Sequence, residues 1–378
     1  MRHRTLLSLV VLLAAVAGAC APRVYPPGEP VAMPLLTEDH FYMADRAELP
    51  LRVWKPDGQP KAVILALHGF NDYSKAFESP AKTLTDAGYL VYAYDQRGFG
   101  DAPNRGGWPG VAGLVGDLRI ASALIRARHP TLPLVLLGES MGGAVIMAAM
   151  AQDADGGLAN GAVPENGAAL NADAVILSAP AVWARETMPG WQRVGLEIIG
   201  HTIPLMQFTG QGLNKVPSDN IDMLRKLSRD KKVIKWTRVD AIYGLVNLMD
   251  AAYAAAPDLR GNVLILMGQH EDIIPPEVMA TFERRLPPAE CGLRLAQYDS
   301  GFHMLLRDLK AERVLGDIVA WVADPKAPLP SGAERPVGVA AETGTPASHA
   351  PNASSQDGAG ATAALALHCP PPQRTARP

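Results

Sequence analysis

The sequence predicts an α/β fold, a mostly parallel sheet with helices on both faces and a helical cap inserted between two late strands. Three observations carry that expectation. Six short apolar runs rich in β-branched and aliphatic residues recur along the chain, as strands buried on both faces require. Longer helical patterns separate them, the alternation of parallel strands with crossover helices. One interval, Pro180 to Asn262, has no clear strand and instead places large apolar residues among helical stretches.

Taken in order, the stretches around Phe41 to Met43 and Leu51 to Trp54 read as antiparallel edge strands. The buried runs are AVILALHG (62–69), YLVYAYD (89–95), LPLVLLGES (132–140), ADAVILSAP (172–180), NVLILMG (262–268) and LRLAQYDS (293–300). Helical patterns run from Lys75 to Ala87, Val111 to His129, Met141 to Ala151, Glu277 to Leu286 and Leu305 to Val322. The core therefore spans residues 39–180 and 259–323, and 181–258 form the cap. Such an insertion covers the strand ends, where open α/β sheets bind ligands. Trp183, Met188, Trp191, Met206, Met223, Trp236 and Met249 are expected mostly to form the cap's own core, a minority facing a ligand.

The ends read differently. Arg2 and Arg4 precede the apolar stretch Leu6 to Val16 and the small residues Ala17-Gly18-Ala19-Cys20, so residues 1–20 predict an export signal. The triplet ending in cysteine resembles a bacterial lipobox, which would place a lipid anchor on Cys20; the alternative is an ordinary cleaved signal. Either way the protein is expected to be exported, and the lipobox implies a membrane-anchored lipoprotein of a bacterial cell envelope. The proline-rich residues 21–38 read as a tether. Residues 152–171 read as a surface loop, and 324–378, rich in Ala, Pro, Gly, Ser and Thr, as an unpacked tail. Cys291 and Cys369 fall in different segments, the second in that tail, so no disulfide framework is expected.

With 378 residues, 48% hydrophobic, the chain can bury a large core, and a net charge of -3 supplies no field for nucleic acid. His270, Glu271, Asp272 and Glu277 crowd together without a second histidine at HExxH spacing, so no metal is expected. No dinucleotide or phosphate loop is complete, and no cofactor is implied.

The chemistry lies in GESMGG (138–143), between a buried strand and a small-residue helix. In a G-x-S-x-G turn the flanking glycines relieve crowding around a strained serine. Ser140 then needs a histidine to take its proton, a carboxylate to orient that histidine, and donors for an oxyanion. The amide of Met141, at the helix start, is one donor. His68-Gly69-Phe70 ends an earlier strand where a second donor belongs, although a simple tight turn would read the same. The carboxylates of Glu271 and Asp272 and the imidazole of His303 follow in the chain order serine, acid, histidine, each in a loop leaving a buried strand.

HGF, DQRGFG (95–100), GESMGG, GQHEDIIPP (268–276) and SGFHMLLRD (300–308) together resemble the monoacylglycerol lipase and lysophospholipase branch of the α/β-hydrolase superfamily, over roughly residues 40–323. The resemblance implies Ser140 as nucleophile, His303 as base, and the Phe70 and Met141 amides as oxyanion donors. Asp95 and Arg97 are implied to be structural. Similar sequences place an aspartate where Glu271 stands, so spacing favours Glu271 as the acid and residue type favours Asp272. The implied function is hydrolysis of carboxylic esters, of monoacylglycerol or lysophospholipid type, through an acyl-enzyme. A small-molecule ester or lipid and a membrane are the expected partners. An amidase or acyltransferase would use the same residues, and a non-catalytic ligand-binding lipoprotein could use the same scaffold.

Overall fold

The computed structural model describes residues 21–154, 170, 172–210, 212, 214–337 and 369. Its centre is a ten-stranded sheet. The strands in chain order are β1 (Leu35–Leu36), β2 (His40–Tyr42), β3 (Glu48–Trp54), β4 (Ala62–Leu67), β5 (Tyr89–Tyr94), β6 (Leu134–Glu139), β7 (Ala174–Ser178), β10 (Val263–Gly268), β11 (Leu293–Tyr298) and β12 (Glu334–Arg335). A separate antiparallel pair, β8 (Gln207–Phe208) with β9 (Thr237–Arg238), lies in the insertion. In space the large sheet runs β1-β2-β3-β5-β4-β6-β7-β10-β11-β12. The block from β5 to β11 is parallel, and β1 to β3 and β12 add antiparallel edges.

Alternation within the strands sends side chains to two cores. On β4, Val63, Leu65 and Leu67 join one cluster while Ala62, Ile64 and Ala66 join the other. Helices α1 (Glu78–Asp86) and α8 (Ala311–Ala323) cover the second face through Ala81, Leu84, Val314, Ile318 and Trp321. Helices α2 (Val111–Arg128), α3 (Met141–Ala154) and α6 (Val239–Ala255) cover the first, and α7 (Pro276–Arg285) packs Val278, Met279 and Phe282 into the same cluster. Between β7 and α6 lie α4 (Gly190–Thr202) and α5 (Ile221–Arg229). Along α4, Trp191, Val194 and Ile198 share an exposed face, and Leu205, Met206 and Phe208 beyond it are also exposed. Among the described residues no helix is long and apolar enough to cross a membrane.

Several expectations are corrected. The cap was expected to reach residue 258, but α6 belongs to the body: Ala241, Val246, Leu248, Met249, Ala252 and Tyr253 are buried in the sheet's first core. Trp191 and Trp236, expected inside the cap or against a ligand, are 75% and 59% exposed. The tether does not hang free. Tyr25 N donates to Trp108 O, Gly28 N to an Asp45 carboxylate and Val31 N to Ala44 O, so backbone bonds that composition cannot reveal fasten it to the body.

The tail also begins later than residue 324. Leu329 is buried, β12 pairs with β11, and Arg294 and Arg335 form ion pairs with Glu334 and Glu283. Cys291 and Cys369 are joined in a disulfide across 78 positions, which sequence distance had concealed. The helix expected from Leu305 breaks into a single turn, Leu305–Arg307, before α8: Asp308 takes extended backbone with ψ 166°, and Leu309 N donates to an Asp219 oxygen of the insertion rather than along a helix. α3 runs three residues past Ala151 into the stretch expected as a loop. The rest of that loop apart from residue 170, the export segment with Cys20, and the tail beyond 337 apart from Cys369 lie outside the described residues.

Candidate active site

After β4 the chain crosses to β5 on one side, and β6 then adds on the other, so the loops leaving β4 and β6 diverge at a switch point. Ser140 stands there, between β6 and α3, with φ 53°, in the left-handed region that a side chain rarely adopts. The surroundings over-determine this turn. Ser140 N donates to Ser178 O at 2.9 Å, and Ser140 O accepts from Ala181 N at 3.0 Å and Ala144 N at 3.1 Å. Only glycine fits on either side: a Cβ at Gly138 would lie 2.5 Å from Gly143 N, and one at Gly142 would lie 2.2 Å from Leu67 O.

The loops after β10 and β11 bring the other groups to Ser140. They are bonded to each other, His270 N donating to Gly301 O at 2.9 Å. His303 Nε2 lies 2.9 Å from Ser140 Oγ, and His303 Nδ1 lies 2.7 Å from Glu271 Oε2. The other Glu271 oxygen accepts from the amides of Ile273 at 2.7 Å and Ile274 at 3.0 Å. Asp272 turns away. Its carboxylate takes Lys215 Nζ at 2.7 Å and Val216 N at 3.1 Å, so it fastens the insertion and does not meet His303. His270 stacks on the Phe302 ring, with centroids 5.2 Å apart.

Both groups of the His303–Glu271 pair are buried. Burial alone would raise the Glu271 pKa, but the charge and hydrogen bond of His303 and the two loop amides outweigh it and hold the carboxyl below its ordinary value. Burial would likewise lower the His303 pKa, yet the Glu271 charge and hydrogen bond, helped by Glu139, raise it. With Glu271 accepting at Nδ1–H, Nε2 is left as the acceptor facing the Ser140 hydroxyl.

Met141 opens α3, which puts its amide at the positive end of the helix beside Ser140. Phe70 follows Gly69, whose backbone approaches the serine so closely that an added Cβ would lie 3.4 Å from Ser140 Cβ. Asn71 takes φ 66°, bending the loop, and the Phe70 ring rests edge-on against Phe99 and Trp108. His68 is more than a turn residue. Its Nε2 accepts from Gln96 N at 3.0 Å, so Nδ1 is the protonated nitrogen and donates to Gly69 O at 2.9 Å; burial lowers its pKa and keeps it neutral. Asp95 accepts from Ser74 and Asp101, and Arg97 bridges Asp45 and Asp117, both away from Ser140.

Two features escape sequence reading. One is a strap from the insertion onto the histidine loop: Met304 N donates to Pro217 O at 2.9 Å, Ser218 Oγ to Asp308 Oδ1 at 2.6 Å, Asn220 Nδ2 to Arg307 O at 2.9 Å and Leu309 N to an Asp219 oxygen at 2.8 Å. The other is the buried ion cluster of Arg307 with Glu139 and Asp72. Glu139 and Arg307 fall within motifs already singled out, but Asp72 lies two residues past HGF. Partners 168 and 235 positions away cannot be paired from spacing.

A parallel sheet with a strained serine at its switch point, a histidine and an acid from later strand ends, and a helical insertion strapped to the histidine loop defines the α/β-hydrolase class. The family model Hydrolase_4, serine aminopeptidase, S33, matches residues 58–310, and the chain belongs to that family. The monoacylglycerol lipase of Mycolicibacterium smegmatis is 25% identical over 282 residues, covering 71% of this chain and 91% of the relative. The monoglyceride lipase of Rattus norvegicus is 25% identical over 300 residues, covering 78% and 93%. Among solved structures, a soluble variant of the Saccharomyces cerevisiae monoglyceride lipase has a TM-score of 0.59 at 19% identity, covering 79% of this chain and 98% of that one. The Paleococcus ferrophilus monoacylglycerol lipase has a TM-score of 0.55 at 21% identity, covering 73% and 98%. At these identities the structural likeness establishes the fold.

Proposed function

We propose that the protein is a serine hydrolase that cleaves carboxylic esters, with acyl esters of the monoacylglycerol or lysophospholipid kind as substrates. The carrying observation is the continuous relay from Ser140 Oγ through His303 to Glu271, at 2.9 and 2.7 Å. In the first half-reaction His303 Nε2 takes the hydroxyl proton as Ser140 Oγ bonds to the ester carbonyl carbon. The Phe70 and Met141 amides hold the oxyanion, and the imidazolium returns its proton to the departing alcohol as the C–O bond breaks. Water then repeats the sequence on the acyl-enzyme, releasing the acid and restoring Ser140. Throughout, Glu271 fixes the tautomer and offsets the charge of the imidazolium.

The substrate class is supported by the lipase relatives and by the exposed Trp191, Val194 and Ile198 on α4, an apolar face of the kind that meets lipid or amphiphile. Export and a lipid anchor on Cys20 are part of the proposal. The Cys291–Cys369 disulfide supports an oxidising compartment. Cys20→Ala should move the protein from the detergent phase to the aqueous phase; unchanged partitioning would remove the anchor. The substrate reading is tested with p-nitrophenyl esters of increasing chain length, monoacylglycerols and aminoacyl p-nitroanilides. The expected result is kcat/KM rising from acetate to octanoate, with release of free fatty acid from monoacylglycerol. Faster acetate than octanoate would overturn the acyl-chain reading, and faster anilide than ester would replace esters by amides.

A further inference from the structure

We propose that Arg307 is a positioning residue for this reaction, its guanidinium holding the nucleophile turn, the oxyanion loop and the histidine loop in one register. The inference rests on the serine-hydrolase reading above. Arg307 lies four residues beyond His303, in the turn before α8. Its Nη1 donates to Asp72 Oδ2 at 2.8 Å and its Nη2 to Glu139 Oε1 at 2.6 Å. Glu139 is the residue before Ser140, and Asp72 stands two after Phe70 in a loop closed by Asp72 N donating to Gly69 O at 3.2 Å. The serine turn, the oxyanion loop and the histidine loop therefore each contribute one charge to a single contact. The rigid planar fork of arginine fixes the separation of its two partners, which the single ammonium of lysine cannot do.

Stability alone is a poor account of such a cluster. The three side chains are 5%, 7% and 2% exposed, and a buried ion pair is commonly no more stabilising than apolar groups of the same volume. Two carboxylates also meet one guanidinium, leaving an excess negative charge, and Glu139 Oε2 is buried with no hydrogen-bond partner. The charged groups that act on His303 are Glu271 from the loop after β10, Glu139 from the end of β6, and Arg307 from its own turn, where Asp308 accepts from Phe302 N. When His303 takes the serine proton, its new positive charge forms where Glu139 favours it and Arg307 opposes it. The cluster thus fixes geometry through Arg307 and tunes the base through Glu139.

The test compares the full-length wild type with Arg307→Lys and Glu139→Gln, titrating active sites with a fluorophosphonate and measuring kcat, KM and the pH profile on one p-nitrophenyl ester. Arg307→Lys should lower kcat per titrated site by about tenfold or more with KM changed less than about twofold, because misplaced groups slow chemistry more than binding. Glu139→Gln keeps an acceptor for Arg307 but removes the charge, so the acid limb of kcat/KM should move to lower pH. If Arg307→Lys does not fold, Asp72→Asn, which keeps an acceptor for Nη1 but removes its charge, takes its place and should lower kcat per titrated site with KM changed less than about twofold. Variants that melt earlier yet turn over at the wild-type rate per site with an unmoved acid limb would overturn the inference and leave only a structural role. A wild type that is not labelled at Ser140 would instead remove the hydrolase reading, and this inference with it.

Discussion

Glu271 and Asp272 are adjacent carboxylates with separate tasks, and the physical difference between them is burial. Glu271 has a 7% exposed side chain and gives one oxygen to His303 and the other to two amides, whereas Asp272 is 39% exposed and holds Lys215. Glu271→Gln should lower kcat by about 10⁴, and Asp272→Asn should cost far less, in steady-state assays of folded protein. The pH dependence follows from His303. In the proposed mechanism neutral His303 is the base, so kcat/KM should fall as pH drops through its pKa. Burial lowers that pKa, but Glu271 and then Glu139 raise it further, and the acid limb should lie above the ordinary histidine value of 6.5. An acid limb below 6.5 would contradict this charge arrangement. At this scale the order was legible: a carboxylate pair at 271 and 272 and a histidine at 303 were read from the loops leaving two strands, because each strand-end loop confines a side chain to a few positions. The choice between 271 and 272 was not legible, since it depends on which carboxylate the loop turns inward.

Among the elements, the elbow between β6 and α3 packs its glycines against backbone, whereas Gly316 on α8 faces open space, and glycine substitutions separate the two situations. A Cβ at Gly142 would lie 2.2 Å from Leu67 O, so Gly142→Ala should destabilise by about 3 kcal/mol or more, read as a lower urea midpoint or loss of soluble protein. Gly316 in α8 has nothing within 4 Å of an added Cβ, so Gly316→Ala should stabilise by about 0.5–1 kcal/mol by the same measurement. The strands of the parallel block were legible because burial on both faces writes continuous apolar runs. The interval holding α6 was read as helical cap and not as part of the body, because its alanines and aliphatics suit a cap core equally well. Only contact with α3 distinguishes them. The strap from Pro217 to Asn220 left no trace in composition, being made of backbone groups and small polar side chains.

Across the whole molecule, the described parts of the end segments, residues 21–38, 324–337 and 369, are bound into the fold where composition suggested a tether and an unpacked tail. Cross-linking Cys291 to Cys369 closes 78 positions, restricting the unfolded chain, so Cys369→Ser should lower unfolding free energy by about 2–4 kcal/mol in urea, and reduction of the wild type should do the same. Proline and small residues mark a segment that cannot form regular structure; they do not say whether it lies against a surface, which is why Tyr25, Leu329 and Cys369 were misjudged. The fold's largest effect is on reactivity, because it joins Ser140 to a histidine 163 positions away and that histidine to an acid 32 positions away. A serine hydroxyl outside such an assembly is nearly inert at neutral pH. The most direct measurement is therefore fluorophosphonate labelling of the folded full-length protein, read by peptide mass spectrometry. One adduct on Ser140, absent from Ser140→Ala and from denatured protein, is the predicted result; a folded wild type left unlabelled, or labelled equally in Ser140→Ala, would contradict it.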